Sequence, residues 1–379
     1  MLRAPHDKRD RDFRRTVLAT GFEGLSKGAA MKEGAALHYV VRSGIVATVF
    51  ISIGSLWDTL IHITRGHWLL APAHLVILTA ALLFTVGGGA ALFFMRRVDD
   101  TTCRALRVVV AGSVLVLVSL TVLDEVWHVF FGLDTTGWSP PHLLFWLGML
   151  IELFGLVVLS RISLRGNARR PSSFWPQGEL ILICAAILVI LLFNCLEYDV
   201  PAAAVIADER PPFTYTVAGT FLFMTGLLVV MAAIMQPWTV TIAAVIAWLF
   251  FGMTGVVIEL LSGVSYVVFP FPIVIPALAL DLWIVIVWRN QIPLRCHAFL
   301  SAALVVGAVC YWSMIAWAAY VMGLPHQLSG TSLDWIRWFF MFIPALSFLA
   351  GYSAWQLASR FMSVGMTAPS PIRSLAESG

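Results

Sequence analysis

Apolar and polar residues alternate along the chain in long blocks rather than in short amphipathic periods. Ten apolar stretches stand out: 39–63, 68–95, 104–131, 141–160, 176–196, 212–235, 238–262, 268–288, 297–322 and 335–358. Each reaches the roughly 20 residues that a helix needs to cross the hydrocarbon core of a bilayer. The pattern predicts an all-α fold, a polytopic integral membrane helix bundle of about ten transmembrane helices. Only Gln236, Pro237 and Trp238 break the pair at 212–262, so nine spans also fit. Residues 1–38 are polar and basic, with no early apolar run. They read as a cytoplasmic basic arm without a cleavable signal peptide, the first helix inserting directly. Residues 364–379 read as a cytoplasmic tail.

Composition sharpens this reading. Of 379 residues, 60% are hydrophobic and 12% charged, against about 25% charged in soluble domains. An ordinary soluble globule and a disordered chain are both excluded. The net charge of +3 is too small to imply a nucleic-acid partner. The basic residues are sorted by loop. Arg96, Arg97, Arg104 and Arg107 share one loop region, Arg161, Arg165, Arg169 and Arg170 the next inside loop, and Arg289 and Arg295 another. The alternate loops carry only Arg65 and Arg210. The asymmetry predicts a multi-pass protein of the cell inner (plasma) membrane with both termini cytoplasmic. The five cysteines form no C-x-x-C pair, which argues against a zinc ribbon or c-type haem site. Gly87-Gly88-Gly89 has no strand before it and no Lys-Ser/Thr after it, so close helix packing is the expected role.

The chain also repeats itself. Asp58-x3-His62 is followed by Pro72-Ala73-His74, and Asp124-x3-His128 by Pro140-Pro141-His142. The offset is 66 residues from Asp58 to Asp124 and from His62 to His128, and 68 from His74 to His142. Residues 39–163 are therefore read as two ligand-bearing helical hairpins. Residues 176–288 hold two degenerate hairpins, marked by Asn194, Glu197 and Pro211-Pro212, then by Glu259 and Pro270-x-Pro272. Residues 297–358 form a final helix pair. Ser139 is placed to cap the fourth helix, with Pro140 in its first turn. Repeats of even helix number keep one orientation, which gathers the retained groups at one membrane face, the outer one by the charge rule.

Asp and His four apart share a helix face. The histidine opening the next antiparallel helix returns to the same level. Each hairpin can thus present one carboxylate and two imidazoles, a ligand set with open positions that suits iron, copper or zinc. Asp58, His62, His74, Asp124, His128 and His142 are the candidate metal ligands. One or two ions of copper or iron would be held, as two mononuclear sites or one dinuclear site. Glu125, Asp134 and His67 are candidate supporting groups. Two other readings stay open: Asp–His hydrogen-bonded pairs that serve structure or conduct protons, and interfacial polarity. Glu152, ten residues after His142, is the candidate catalytic acid, as a metal bridge or a proton relay, or else a helix-to-helix hydrogen-bonding group. Glu259 is expected near the outer face and Asp281 nearer mid-membrane, where either could serve a proton or substrate path. His326 is an outside-loop candidate, whereas His38 and His297 lie on the inner side, away from the site.

Asp-x3-His followed about a dozen residues later by His resembles the ligand pattern in the C-type subunit of copper membrane monooxygenases. The likeness covers some 20 residues twice over, with His–His spacings of 12 (His62 to His74) and 14 (His128 to His142). It implies a copper-binding oxygenase with those six residues as ligands. The chain departs from that family in its duplicated motif and in having no cupredoxin-like part. The functional expectation is a metal-dependent oxidoreductase, oxygenase- or hydroxylase-like, acting on an apolar small-molecule substrate near the outer face. Trp57, Trp68, Trp127, Trp138 and Trp146 would shape its pocket. The chain shows no flavin, iron–sulfur or nicotinamide motif, so an external electron donor or reductase is required. The alternatives are a multi-pass transporter of a metal ion or proton-coupled solute, and a non-catalytic membrane subunit or metal-delivery factor.

Overall fold

A computed structural model describes residues 37–58, 72–131, 139–166, 174–199, 213–234, 236–262, 272–290, 292, 295–321 and 330–362. The terminal arm and tail, His62, His67, Trp68, Asp134, Trp138, Pro211, Pro270 and His326 lie outside these residues. So do the side chains of Asn194, Glu197, Asp199 and Glu259.

Among the described residues, ten helices correspond one to one with the ten apolar stretches. They are α1 (Leu37–Asp58), α2 (Pro72–Phe94), α3 (Asp100–Phe131), α4 (Pro140–Gly166), α5 (Phe174–Asp199), α6 (Phe213–Ile234), α7 (Thr239–Ser262), α8 (Val274–Arg289), α9 (Cys296–Val321) and α10 (Gly330–Met362). No strand occurs among the described residues. Long apolar runs favour helices because in lipid every backbone polar group must be satisfied within its own segment. Among the described residues, six helices are long and apolar enough to cross a membrane, and three further apolar helical stretches are shorter.

The helix boundaries have local causes. Asp99 caps α3: its Oδ1 accepts the Thr101 and Thr102 amides at 2.9 and 3.1 Å, and its Oδ2 accepts the Thr102 hydroxyl at 2.6 Å. The Thr102 hydroxyl bond, with the two amides behind it, holds the Asp99 carboxyl below the usual carboxylate range. The expected cap at Ser139 is made differently. Its carbonyl accepts the Leu143 amide at 2.9 Å, while its buried hydroxyl has no hydrogen-bond partner among the described residues. The break between α6 and α7 is a real turn, closed by Trp238 in the left-handed region (φ 69°).

Helices α1–α4 pack in a ring through small residues. Gly44 on α1 lies against Leu156 on α4, Gly87 on α2 against Ser43 on α1, Gly88 against Ser113 on α3, and Gly148 on α4 against Val116 on α3. A Cβ at Gly112 would meet the Glu152 backbone nitrogen, so α3 and α4 approach closely enough for backbone contact. The 66- and 68-residue offsets recur in this packing. Gly87 on Ser43 in the first hairpin becomes Gly155 on Val109 in the second. Helix α5 joins the ring to the rest, packing on α4, α6 and α7, while α6, α9 and α10 form a second packed group.

Candidate functional site

From the glycine layer, both hairpins run toward the same end of the ring. Asp58 lies 15 residues beyond Ser43, His74 13 before Gly87, Asp124 11 beyond Ser113, and His142 14 before Leu156. At 1.5 Å per residue, all four stand about 16–23 Å from that layer, on one side of it. This is the level that the repeat predicts.

The first hairpin brings His74 Nε2 to 2.8 Å from Asp58 Oδ1, both side chains 18% exposed. That is a direct hydrogen-bonding distance. In the second hairpin one carboxylate oxygen faces two rings: Asp124 Oδ1 lies 3.5 Å from His128 Nε2 and 3.4 Å from His142 Nε2. These gaps are long for direct hydrogen bonds. Around an ion bound at about 2.0–2.1 Å, tetrahedral ligand atoms stand about 3.3–3.4 Å apart. Among the described residues no group of three or more His, Cys, Asp and Glu is arranged so that it could hold a metal ion. Glu125, expected as a supporting group, is exposed.

Helix geometry explains why Asp124 gathers two rings. The last two turns of α3 follow a π-helical segment, Ser119–Leu123, in which the Asp124 amide bonds the Ser119 carbonyl instead of the carbonyl four residues back. Single π turns recur at functional sites because they turn the downstream side chains relative to the upstream helix. The sequence missed this turn: all five residues are compatible with an ordinary helix, and neither Pro nor Gly marks the spot.

The aromatic residues divide. Trp127 stacks on Phe131, with centroids 4.2 Å apart. Trp146, one turn inward from His142, is buried against Phe193 of α5 at 4.8 Å. Trp57 is half-buried beside Asp58.

Glu152 lies ten residues from His142 on α4, about 15 Å away at helical rise, so a metal-bridging role alongside His142 is ruled out. It is buried, and its Oε2 lies 2.8 Å from the Ser113 hydroxyl. Asp281, a candidate for a proton or substrate path, ties two helices together. Its Oδ2 accepts the Thr241 amide at 2.7 Å and the Thr241 hydroxyl at 2.6 Å, at the start of α7. His38 is not an isolated inner-side histidine. Its Nδ1 lies 2.7 Å from Glu179 Oε2, and the Arg42 Nε–H donates to Glu179 Oε1 at 2.8 Å. Glu179 was not singled out from the sequence, although it is the one acid entering the fifth apolar stretch. His297 is exposed at the start of α9.

Compared with known proteins, the chain matches no family model, no curated protein and no solved structure.

Proposed function

We propose that this is a ten-span metal-dependent membrane oxidoreductase, oxygenase- or hydroxylase-like, with its site at the outer end of the α1–α4 ring. The observation that carries the reading is one carboxylate oxygen, Asp124 Oδ1, facing imidazole nitrogens from two different helices at ligand spacing. Asp124, His128 and His142 would hold copper or iron, and Asp58 with His62 and His74 forms the related set of the first hairpin. A redox-active ion there supplies oxygen activation. The protein's part is to fix three ligands and leave positions open, with Trp127 and Phe131 giving an apolar rim for a lipid-soluble substrate. Electrons come from an external reductase or quinol.

A second reading has its own support. Asp58 and His74 stand at hydrogen-bonding distance, which favours a proton-holding pair in the first hairpin and keeps proton-coupled transport as the alternative.

Metal analysis of detergent-purified protein decides between them. After loading with copper(I) or iron(II) and desalting, wild type should retain a stoichiometric ion. The Asp124→Ala/His142→Ala variant should retain none. Absence of stoichiometric metal in loaded wild type overturns the metalloprotein reading.

A further inference from the structure

We infer that the α1–α4 ring contains a proton pathway running from the His38–Glu179 pair at one end, through Glu152 at mid-depth, to the Thr48–Ser52–Ser55 face of α1 toward the other. The inference goes beyond the proposed metal chemistry and does not require it.

Glu152 is the centre of the pathway. It is fully enclosed where α1, α3 and α4 meet. Burial of an acid at this depth is costly and calls for a functional reason. Its neighbour Ser113 has one hydroxyl proton and two acceptors in range, Glu152 Oε2 at 2.8 Å and the Val109 carbonyl at 3.0 Å. When Glu152 is ionised, the Ser113 proton can turn toward it. When Glu152 is protonated, its own O–H can donate to Ser113 Oγ while the serine donates to Val109. Both protonation states are therefore satisfied without moving a helix, as a relay requires.

Packing alone does not ask for these polar groups. At the equivalent positions of the first hairpin, 68 residues before Glu152 and 66 before Ser113, stand Phe84 and Ala47, both fully buried. The same ring is thus built with an apolar pair on one side and an acid–hydroxyl pair on the other.

Polar groups lead away from Glu152 in both directions. Toward Asp58, a position on the Gly44 face of α1 would stand 3.6 Å from Glu152 Oε1. From there Thr48, Ser52 and Ser55 follow along one face of α1 at helical spacing. Thr48 and Ser52 are buried, their hydroxyls donating to the Gly44 and Thr48 carbonyls at 2.9 and 2.7 Å. Their counterparts in α3, Val114 and Val118, carry no hydroxyl. Toward the other end, Leu156, Ser160 and Ser163 continue the Glu152 face of α4. Ser160 is buried with no hydrogen-bond partner among the described residues, and Ser163 Oγ lies 3.4 Å from His38 Nε2. Leu156, wedged on Gly44, is the apolar constriction between Glu152 and Ser160. Water molecules passing the hydroxyls carry the proton between stations. A proton taken from water at the His38 end is released to water beyond Ser55, and only O–H and N–H bonds are exchanged.

The test is proton flux into proteoliposomes holding a trapped pH dye, driven by a valinomycin–potassium potential with chelator present. Wild type should conduct above protein-free vesicles. Leu156→Ala, which opens the constriction, should conduct several-fold faster. Glu152→Gln, close to isosteric, should bring either background down to the protein-free rate, and Thr48→Val/Ser52→Ala should slow both. The pathway is overturned if neither wild type nor Leu156→Ala exceeds protein-free vesicles, or if Glu152→Gln and the hydroxyl double variant leave the flux unchanged. Because no metal enters the assay, failure here is distinct from failure of the metal-loading experiment.

Discussion

Asp281 shows how much one residue's surroundings decide. Its carboxylate takes two hydrogen bonds from Thr241, which lies in the first turn of α7, forty residues away along the chain. The carboxylate thus does for α7 what an N-cap side chain does locally, and it sits where the helix dipole favours a negative charge. Asp281→Ala strips the partner from a half-buried amide and hydroxyl, and should lower stability by about 1–3 kcal/mol. Thermal unfolding in detergent, followed by loss of helical circular dichroism, would measure it; an unchanged midpoint would refute the tie. From the sequence, Asp281 could be recognised only as an acid within an apolar stretch. Its partner was not legible, because the depth at which α7 begins depends on the tight Trp238 turn. Asp124 was more legible: i,i+4 spacing alone put it with His128, and the Pro-Pro-His start of the next helix put it with His142.

Within α3, the π turn at Ser119–Leu123 governs where the ligand-bearing end points. Removing one residue from it restores an ordinary helix and turns everything downstream by about 100°. Thr121 is exposed, so its deletion spares the packed face. The shortened helix should keep the α3–α4 seam while swinging Asp124 and His128 away from His142. Copper or iron retention should fall from stoichiometric to background, with helix content preserved. Retention at the wild-type level would show that Asp124 and His142 do not share an ion. The 104–131 stretch announced a helix, and the structure extends it to Asp100, where Asp99 caps it. The π turn was hidden because none of its residues, Ser119 to Leu123, disfavours an ordinary helix. The small residues that set the fit of α3 against α4, Gly112 and Gly148, were visible as letters, but which neighbour each would meet was not.

The ten apolar stretches match, in order, the ten helices among the described residues. They left open how the helices would be arranged, because lipid-facing and protein-facing residues are alike apolar in such a chain. The orientation expected from the arginines is open to direct measurement. Cys103 near the start of α3 and Cys296 at the start of α9 are half-buried, whereas Cys184 and Cys310 are buried. A membrane-impermeant maleimide should modify Cys103 and Cys296 in inverted vesicles and spare them in intact spheroplasts, with Cys184 and Cys310 unlabelled in both. Modification of Cys103 in spheroplasts would reverse the topology expected from the arginines and move the Asp58–His74 and Asp124–His142 end to the cytoplasm.

The contact of Gly87 with Ser43 inside the first hairpin repeats as Gly155 with Val109 inside the second, and the two hairpins meet along a seam of their own. Had identical hairpins met across it as separate chains, symmetry would have forced every substitution to appear twice. A carboxylic acid in one half where the other has a benzene ring, as Glu152 takes the place equivalent to Phe84, is open only to halves that are covalently one molecule and free to differ. Fusion is therefore what permits a single acid, rather than a repelling pair, at the heart of the ring.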